Sequence, residues 1–331
     1  RVGKRQGLLT VRSRMTRRER RSHAHLTADV KLHGVELDSP EVNTTHEGGN
    51  MLRAKVFFAL ALLGLATLRP LAAHGDDVVT LDTRPGITQS FLLLEPKGTA
   101  KGVMIMLPGH EGEVEFRKTS EEGYEVKNHG GGLTAHRAMR ETLRNRGFAV
   151  AVIAPPSDRT LLAPWFRKST EHFEDMRIVI GYLQKRYGSK PYLQGHCLAS
   201  LSAASVAARL KSDGISGVIL SSTRSSGPAG AVTDFERGAV SVPVLLVQHR
   251  EDSCPHTSPQ NLERVKAFYQ NSGPKVDIIT VTGGESRIKK KQQSCQDGFH
   301  GFSGVQRDTA QAIASWLLDK TFPALVEGAK Q

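Results

Sequence analysis

Tyr192-Leu193-Gln194-Gly195-His196-Cys197-Leu198-Ala199-Ser200 reads as a short strand that turns directly into a helix. The helix continues as Leu201-Ser202-Ala203-Ala204-Ser205, a run of small residues able to pack close beneath the turn. A strand-to-helix turn this tight tolerates only small flanking positions, and Gly195 and Ala199 both qualify. The layout is that of a nucleophile elbow, G-x-S-x-G, with Cys197 in the serine position and Ala199 in place of the second glycine. A thiol at a helix N-terminus gains from the helix dipole, which favours thiolate. The same residues also describe a buried structural cysteine, so the motif needs its surroundings.

Those surroundings alternate between strand and helix. Residues 78–81 and 89–94 read as strands about the turn Arg84-Pro85-Gly86. GVMIML (102–107) and FAVAVIA (148–154) are continuous apolar runs, as expected of strands covered on both faces. A long polar loop separates the first of these from a helix over 134–145. The spacing predicts a helix over 171–187, with Phe173, Met176, Ile180, Leu183 and Tyr187 on one face and Gly188 beyond its end. A helix over 200–211, strands at 218–222 and 242–248, a helix begun by Ser258-Pro259 and running to about 271, a strand at 276–281 and a helix over 309–318 complete the series. Short links between alternating elements predict a doubly wound, mostly parallel sheet, with ligands at the carboxyl ends of the strands. The link from Ser222 to Val242 is too short for a large cap domain.

After the strand at 242–248 comes His249-Arg250-Glu251-Asp252, and after the last strand Phe299-His300-Gly301-Phe302. Nucleophile, acid and histidine thus fall in the order Cys197, Asp252, His300, the chain order of α/β-hydrolases, each at or just beyond a strand end. With the loop after the strand at 102–107, Pro156-Ser157-Asp158-Arg159, His249 to Cys254, and Cys295, these motifs resemble a group of secreted bacterial α/β-hydrolases over residues 77–319. The resemblance implies the α/β-hydrolase fold, Cys197 as nucleophile, Asp252 as acid and His300 as base. Relatives carry serine at the elbow with glycine two residues on; cysteine there is compatible with the fold, as in dienelactone hydrolases and polyester synthases. An oxyanion hole needs two backbone N–H groups. Leu198 is expected to supply one, and His110, in Pro108-Gly109-His110-Glu111-Gly112, the other. His129-Gly130-Gly131-Gly132 mimics an esterase glycine motif but lies too far past its strand.

Composition bounds the rest. The 331 residues are 38% hydrophobic and 24% charged, which excludes wholesale disorder and a polytopic membrane protein. Of the net charge of +12, +7 lies before Asp76, where 13 basic residues face 6 acidic ones. The basic excess therefore falls outside the expected folded domain, 76–331, and nucleic acid is not expected as a partner. Residues 51–73 read as a signal peptide, with Arg53 and Lys55 before the apolar run 56–66 and small residues at Ala72-Ala73. Such a signal directs the chain to the periplasm or the exterior and, once cleaved, leaves no stable membrane anchor. Residues 1–50 cannot bury a core; they read either as upstream DNA translated by an over-long gene assignment or as a disordered basic arm.

An oxidising compartment favours paired cysteines, so Cys254 and Cys295 are expected to form a disulfide, leaving Cys197 free. The alternative is two buried thiols. No metal-ligand spacing, dinucleotide fingerprint or phosphate loop occurs, so neither metal nor cofactor is expected. The expected activity is hydrolysis of a small-molecule carboxylic ester or thioester through a covalent acyl-enzyme. A catalytically degenerate binding protein of the same fold is the alternative.

Overall fold

The computed structural model describes residues 75–119, 123–128, 137–271, 273–285, 295–296, 298–318 and 321–330. The basic extension 1–50, the signal segment 51–73, the glycine run 129–132 and the lysine run 289–291 lie outside them. The strands of the main sheet are β1 (Asp77–Arg84), β2 (Ile87–Leu94), β3 (Gly102–Leu107), β6 (Phe148–Pro156), β7 (Tyr192–His196), β8 (Gly217–Ser221), β9 (Val244–His249), β10 (Val276–Gly284) and β11 (Leu325–Lys330). Their order across the sheet is β1-β2-β6-β3-β7-β8-β9-β10-β11. β1 and β2 run antiparallel to their neighbours, and every other pairing is parallel. An antiparallel lead-in, a strand swap at β6 and β3, then a parallel series is the α/β-hydrolase fold.

Both faces of the sheet are covered, which explains why its central strands read as unbroken apolar runs. Along β6, Phe148, Val150 and Val152 enter one core while Ala149, Ala151 and Ile153 enter the other. Helices α2 (Thr170–Tyr187), α3 (Ala199–Gly214) and α4 (Leu262–Gln270) contribute Met176, Leu183, Leu201 and Val265 to one face. Helices α1 (Arg137–Asn145) and α5 (Gln306–Leu318) contribute Met139, Leu143, Ile313 and Trp316 to the other.

Several expectations are corrected. The polar stretch after β3 contains a hairpin, β4 (Val114–Thr119) with β5 (Gly123–Asn128), paired as a separate two-stranded sheet. Its Phe116, Tyr124 and Val126 are partly buried against the α1–α5 core, so alternation hidden among charges holds it down. The helix begun by Ser258-Pro259 is a single 3-10 turn, Pro259–Asn261, before α4. The inward face of α2 is rotated: His172, Asp175 and Val179 are buried, whereas Phe173 is only partly so. Burial of Asp175 is offset by Arg84, whose Nε donates to Oδ1 at 2.8 Å, and by the Thr83 hydroxyl. α3 breaks at Lys211, where φ is +53°, the last residue of the helix expected from sequence. Strand β11 was not anticipated; only Leu325 and Val326 in it are large apolar residues. Between β8 and β9 the described chain holds one 3-10 turn, Val232–Asp234, and no cap domain.

Candidate active site

β3 lies where the chain switches sides, between β6 and β7. Loops leaving the ends of β3 and β7 therefore border one crevice. They touch: a side chain on Gly109 would meet the His196 carbonyl at 3.1 Å.

Cys197 sits at the apex of the second loop with φ +52°, a left-handed conformation that L-residues rarely adopt. The surroundings hold it there. Its N–H donates to Ser221 O at 3.0 Å, Ser200 N–H returns to its carbonyl at 3.0 Å, and the Ser200 hydroxyl donates to the same carbonyl at 2.6 Å. Gly195 is required by the same turn, since a Cβ there would overlap the Ala199 carbonyl oxygen and lie 2.8 Å from Ser200 Cα. Both obstacles are backbone and cannot rotate away. Gly195→Ala is expected to cost about 3 kcal/mol, seen as a lower urea midpoint with unchanged slope. An unchanged midpoint would mean the elbow is not rigid.

The acid and the base come from neighbouring strands. Asp252 follows β9, is buried, and accepts from Cys254 N–H at 3.0 Å (Oδ1), Gln248 Nε2 at 3.0 Å (Oδ2) and the Thr257 hydroxyl at 2.8 Å (Oδ2). His300 Nδ1 lies 3.2 and 3.1 Å from its two oxygens, and 3.2 Å from Thr257 Oγ1. A carboxylate anchored by several hydrogen bonds fixes the imidazole with its proton on Nδ1. Nε2 is buried and makes no hydrogen bond among the described residues, which leaves it as the nitrogen available to Cys197, whose charge acts on this ring. The ring stacks edge-on to His196 at 4.8 Å, and the Ser222 hydroxyl holds its backbone carbonyl at 2.8 Å. The fold thus pairs Asp252 with His300 and packs that imidazole beside His196, the residue before Cys197.

Electrostatics favour charge separation here. Burial alone pushes the Cys197 thiol up, but His300, the Arg224 guanidinium and the Leu198 N–H outweigh it and hold the thiol below its ordinary value. Burial pushes His300 down, yet the thiolate and Asp252 raise it above the ordinary imidazole value. The two shifts describe one coupled pair, thiolate with imidazolium.

The β3 loop is shaped by a residue the sequence reading missed. Arg167 is fully buried with no carboxylate beside it among the described residues. Its Nε donates to Leu162 O, Nη1 to Pro108 O and Nη2 to His110 O, each at 2.9 Å. Nη1 also reaches Ser202 Oγ at 3.3 Å, joining the loop to α3. Burial lowers this guanidinium to about 9, against a smaller opposing pull from Cys197. His110 itself has φ +47°. Thr257, Gln248 and Arg224 were also not foreseen. In sequence, Phe166-Arg167-Lys168 reads like a solvated charged run, and no local pattern distinguishes it from one.

Cys254 and Cys295 are joined as a disulfide, and Cys197 is free. Among the described residues no group of His, Cys, Asp or Glu is placed to hold a metal ion, and no helix is long and apolar enough to cross a membrane.

No protein-family model and no curated protein matches the chain. Solved structures do match. An α/β serine hydrolase homologue from Coxiella burnetii is 15% identical, with 74% of this chain and 99% of that one covered and a TM-score of 0.48. A thermostable carboxyl esterase from Bacillus coagulans, in complex with glycerol, is 11% identical, covering 74% and 98%, with a TM-score of 0.49. A lidless α/β serine hydrolase from Xanthomonas campestris is 15% identical, covering 77% and 100%, with a TM-score of 0.47. At such identities the likeness is one of fold.

Proposed function

We propose that the protein is a hydrolase of carboxylic esters or thioesters that works through a Cys197 acyl-enzyme. The observation that carries this reading is the convergence of three groups from three strand ends: a strained elbow cysteine, an imidazole packed against the His196 ring next to it, and a fully hydrogen-bonded carboxylate behind that imidazole. A structural cysteine needs none of these.

The Cys197 thiolate attacks the carbonyl carbon, and the carbonyl π electrons move to oxygen. The N–H groups of Leu198 and His110 receive that oxyanion. As it collapses, the bond to the leaving group breaks, and His300 gives its proton to the departing alkoxide or thiolate. Neutral His300 then takes a proton from water, whose hydroxide attacks the thioester. Collapse of the second oxyanion releases the carboxylic acid, and the Cys197 thiolate and the His300 imidazolium are restored. Asp252 holds the imidazole in one tautomer throughout. The absence of a cap between β8 and β9 suits a small-molecule substrate. The disulfide fits an oxidising compartment such as the periplasm or the exterior.

The test is direct. Brief incubation with nitrophenyl acetate and acid quenching should leave one acetyl group on the peptide containing Cys197. An acetyl group elsewhere, or none during measurable nitrophenol release, overturns the reading.

A further inference from the structure

The loop after β8 carries Arg224, a buried arginine. Arg84, Arg144 and Arg186 each rest on carboxylates, and Arg167 on three carbonyls. The only side-chain hydrogen bond of Arg224 among the described residues is a long one, Nε to Gly230 O at 3.4 Å. Its terminal nitrogens make no hydrogen bond among the described residues.

The backbone of Arg224 is fixed on both sides. Its N–H donates to Ser200 Oγ at 3.0 Å, the same hydroxyl that donates to Cys197 O, and its carbonyl accepts from Val232 N–H at 3.0 Å. One serine hydroxyl thus ties the cation to the elbow, and the guanidinium charge acts on the thiol.

A second polar group meets it. A side chain on Gly227 would lie 2.9 Å from Arg224 Nη2 and 2.5 Å from His256 Nδ1, so both groups converge on a glycine whose φ is +104°. His256 belongs to the acid loop. Burial and Arg224 lower its pKa, which keeps it neutral with one N–H to donate. A guanidinium on a fixed backbone, without a carboxylate partner among the described residues and with a neutral donor beside it, matches a carboxylate, which takes the planar fork in bidentate fashion.

We propose that Arg224 and His256 form an anion subsite beside Cys197, and that the ester or thioester cleaved there carries a carboxylate. The substrate class rests on the hydrolase reading; the subsite does not. The test is therefore independent of turnover. Cys197 is alkylated with iodoacetate and with iodoacetamide, in folded protein and in urea with the disulfide intact. The ratio of the two rates cancels the thiolate fraction and isolates attraction for the carboxylate.

The folded protein is expected to show a ratio about tenfold above the unfolded reference. Arg224→Gln should bring it down to that reference, while Arg224→Lys should keep most of it. Should Arg224→Gln not fold, protection of the wild-type thiol from iodoacetamide by glutarate, but not by glutaramide, decides the matter. A ratio equal to the unfolded one, a ratio untouched by Arg224→Gln, or a folded thiol that neither reagent reaches overturns the subsite. A raised ratio with no acyl adduct on Cys197 would instead keep the subsite and remove the hydrolase.

Discussion

Cys197→Ala is expected to lower kcat/KM for a nitrophenyl ester about ten-thousandfold, leaving only what the oxyanion donors and binding supply. The substitution removes the atom that forms the covalent bond and leaves the elbow, whose φ of +52° is set by backbone contacts, in place. Retention of more than about a tenth of the activity would mean that another group attacks. Cys197→Ser should recover part of the loss, because Asp252 and His300 hold the imidazole equally well for a hydroxyl. The pH profiles should then separate the two nucleophiles. In the wild type the thiol is held below its ordinary value and His300 above its own, which favours thiolate with imidazolium over the neutral pair. Its acid limb marks protonation of the thiolate and should lie below the ordinary thiol value of about 8.5. Serine is not ionised, and His300 loses the negative neighbour that raises it. Its acid limb should move toward the ordinary imidazole value of about 6.5, since catalysis then needs the neutral base. Superimposable profiles would mean that the wild-type thiol is not ionised at rest.

Removing the Cys254–Cys295 bridge by double substitution to alanine is expected to cost about 3 kcal/mol of stability and roughly 8 °C in Tm. The cysteines are 41 residues apart, so the bridge closes a long loop and restricts the unfolded chain strongly. The effect should reach the site as well. Cys254 N–H donates to Asp252 Oδ1, and Cys295 lies five residues before His300, so the bridge joins the acid loop to the base loop. A several-fold fall in kcat with KM nearly constant is the expected signature of a misaligned acid–base pair. Calorimetry and steady-state kinetics on the same preparation check both parts. A double variant as stable and as active as the parent would make the bridge incidental.

Much of this was legible in sequence because the informative residues are constrained locally. Gly195 and Ala199 flank the elbow since no larger side chain fits, and continuous apolar runs such as 102–107 mark strands buried on two faces. Asp252 and His300 could be read from position alone, as each follows a strand. Other features carry no local signature. The hairpin at 114–128 alternates, but its outward residues are charged and its inward ones, Phe116, Tyr124 and Val126, are few. β11 has one end apolar and the other polar because it closes an edge of the sheet. Thr257 and Gln248 matter through hydrogen bonds to Asp252, and Arg167 and Arg224 through burial. Arginine more often marks the surface, so sequence assigns both to solvent.

Arg167 has a consequence for how this site can vary. Loop carbonyls in folded proteins are usually satisfied by the backbone of a neighbouring element, which distributes the task over many residues. Here a single side chain satisfies the carbonyls of Leu162, Pro108 and His110. The route of the β3 loop is thereby written at one codon outside the loop. The exposed side chain of Glu111 can be recoded to reshape the loop while the carbonyls stay anchored. Even the closest exchange at 167, to lysine, would replace a planar three-point anchor with a single ammonium. For a library aimed at new substrates, the variable segment and the immovable residue are thus cleanly separated along the chain.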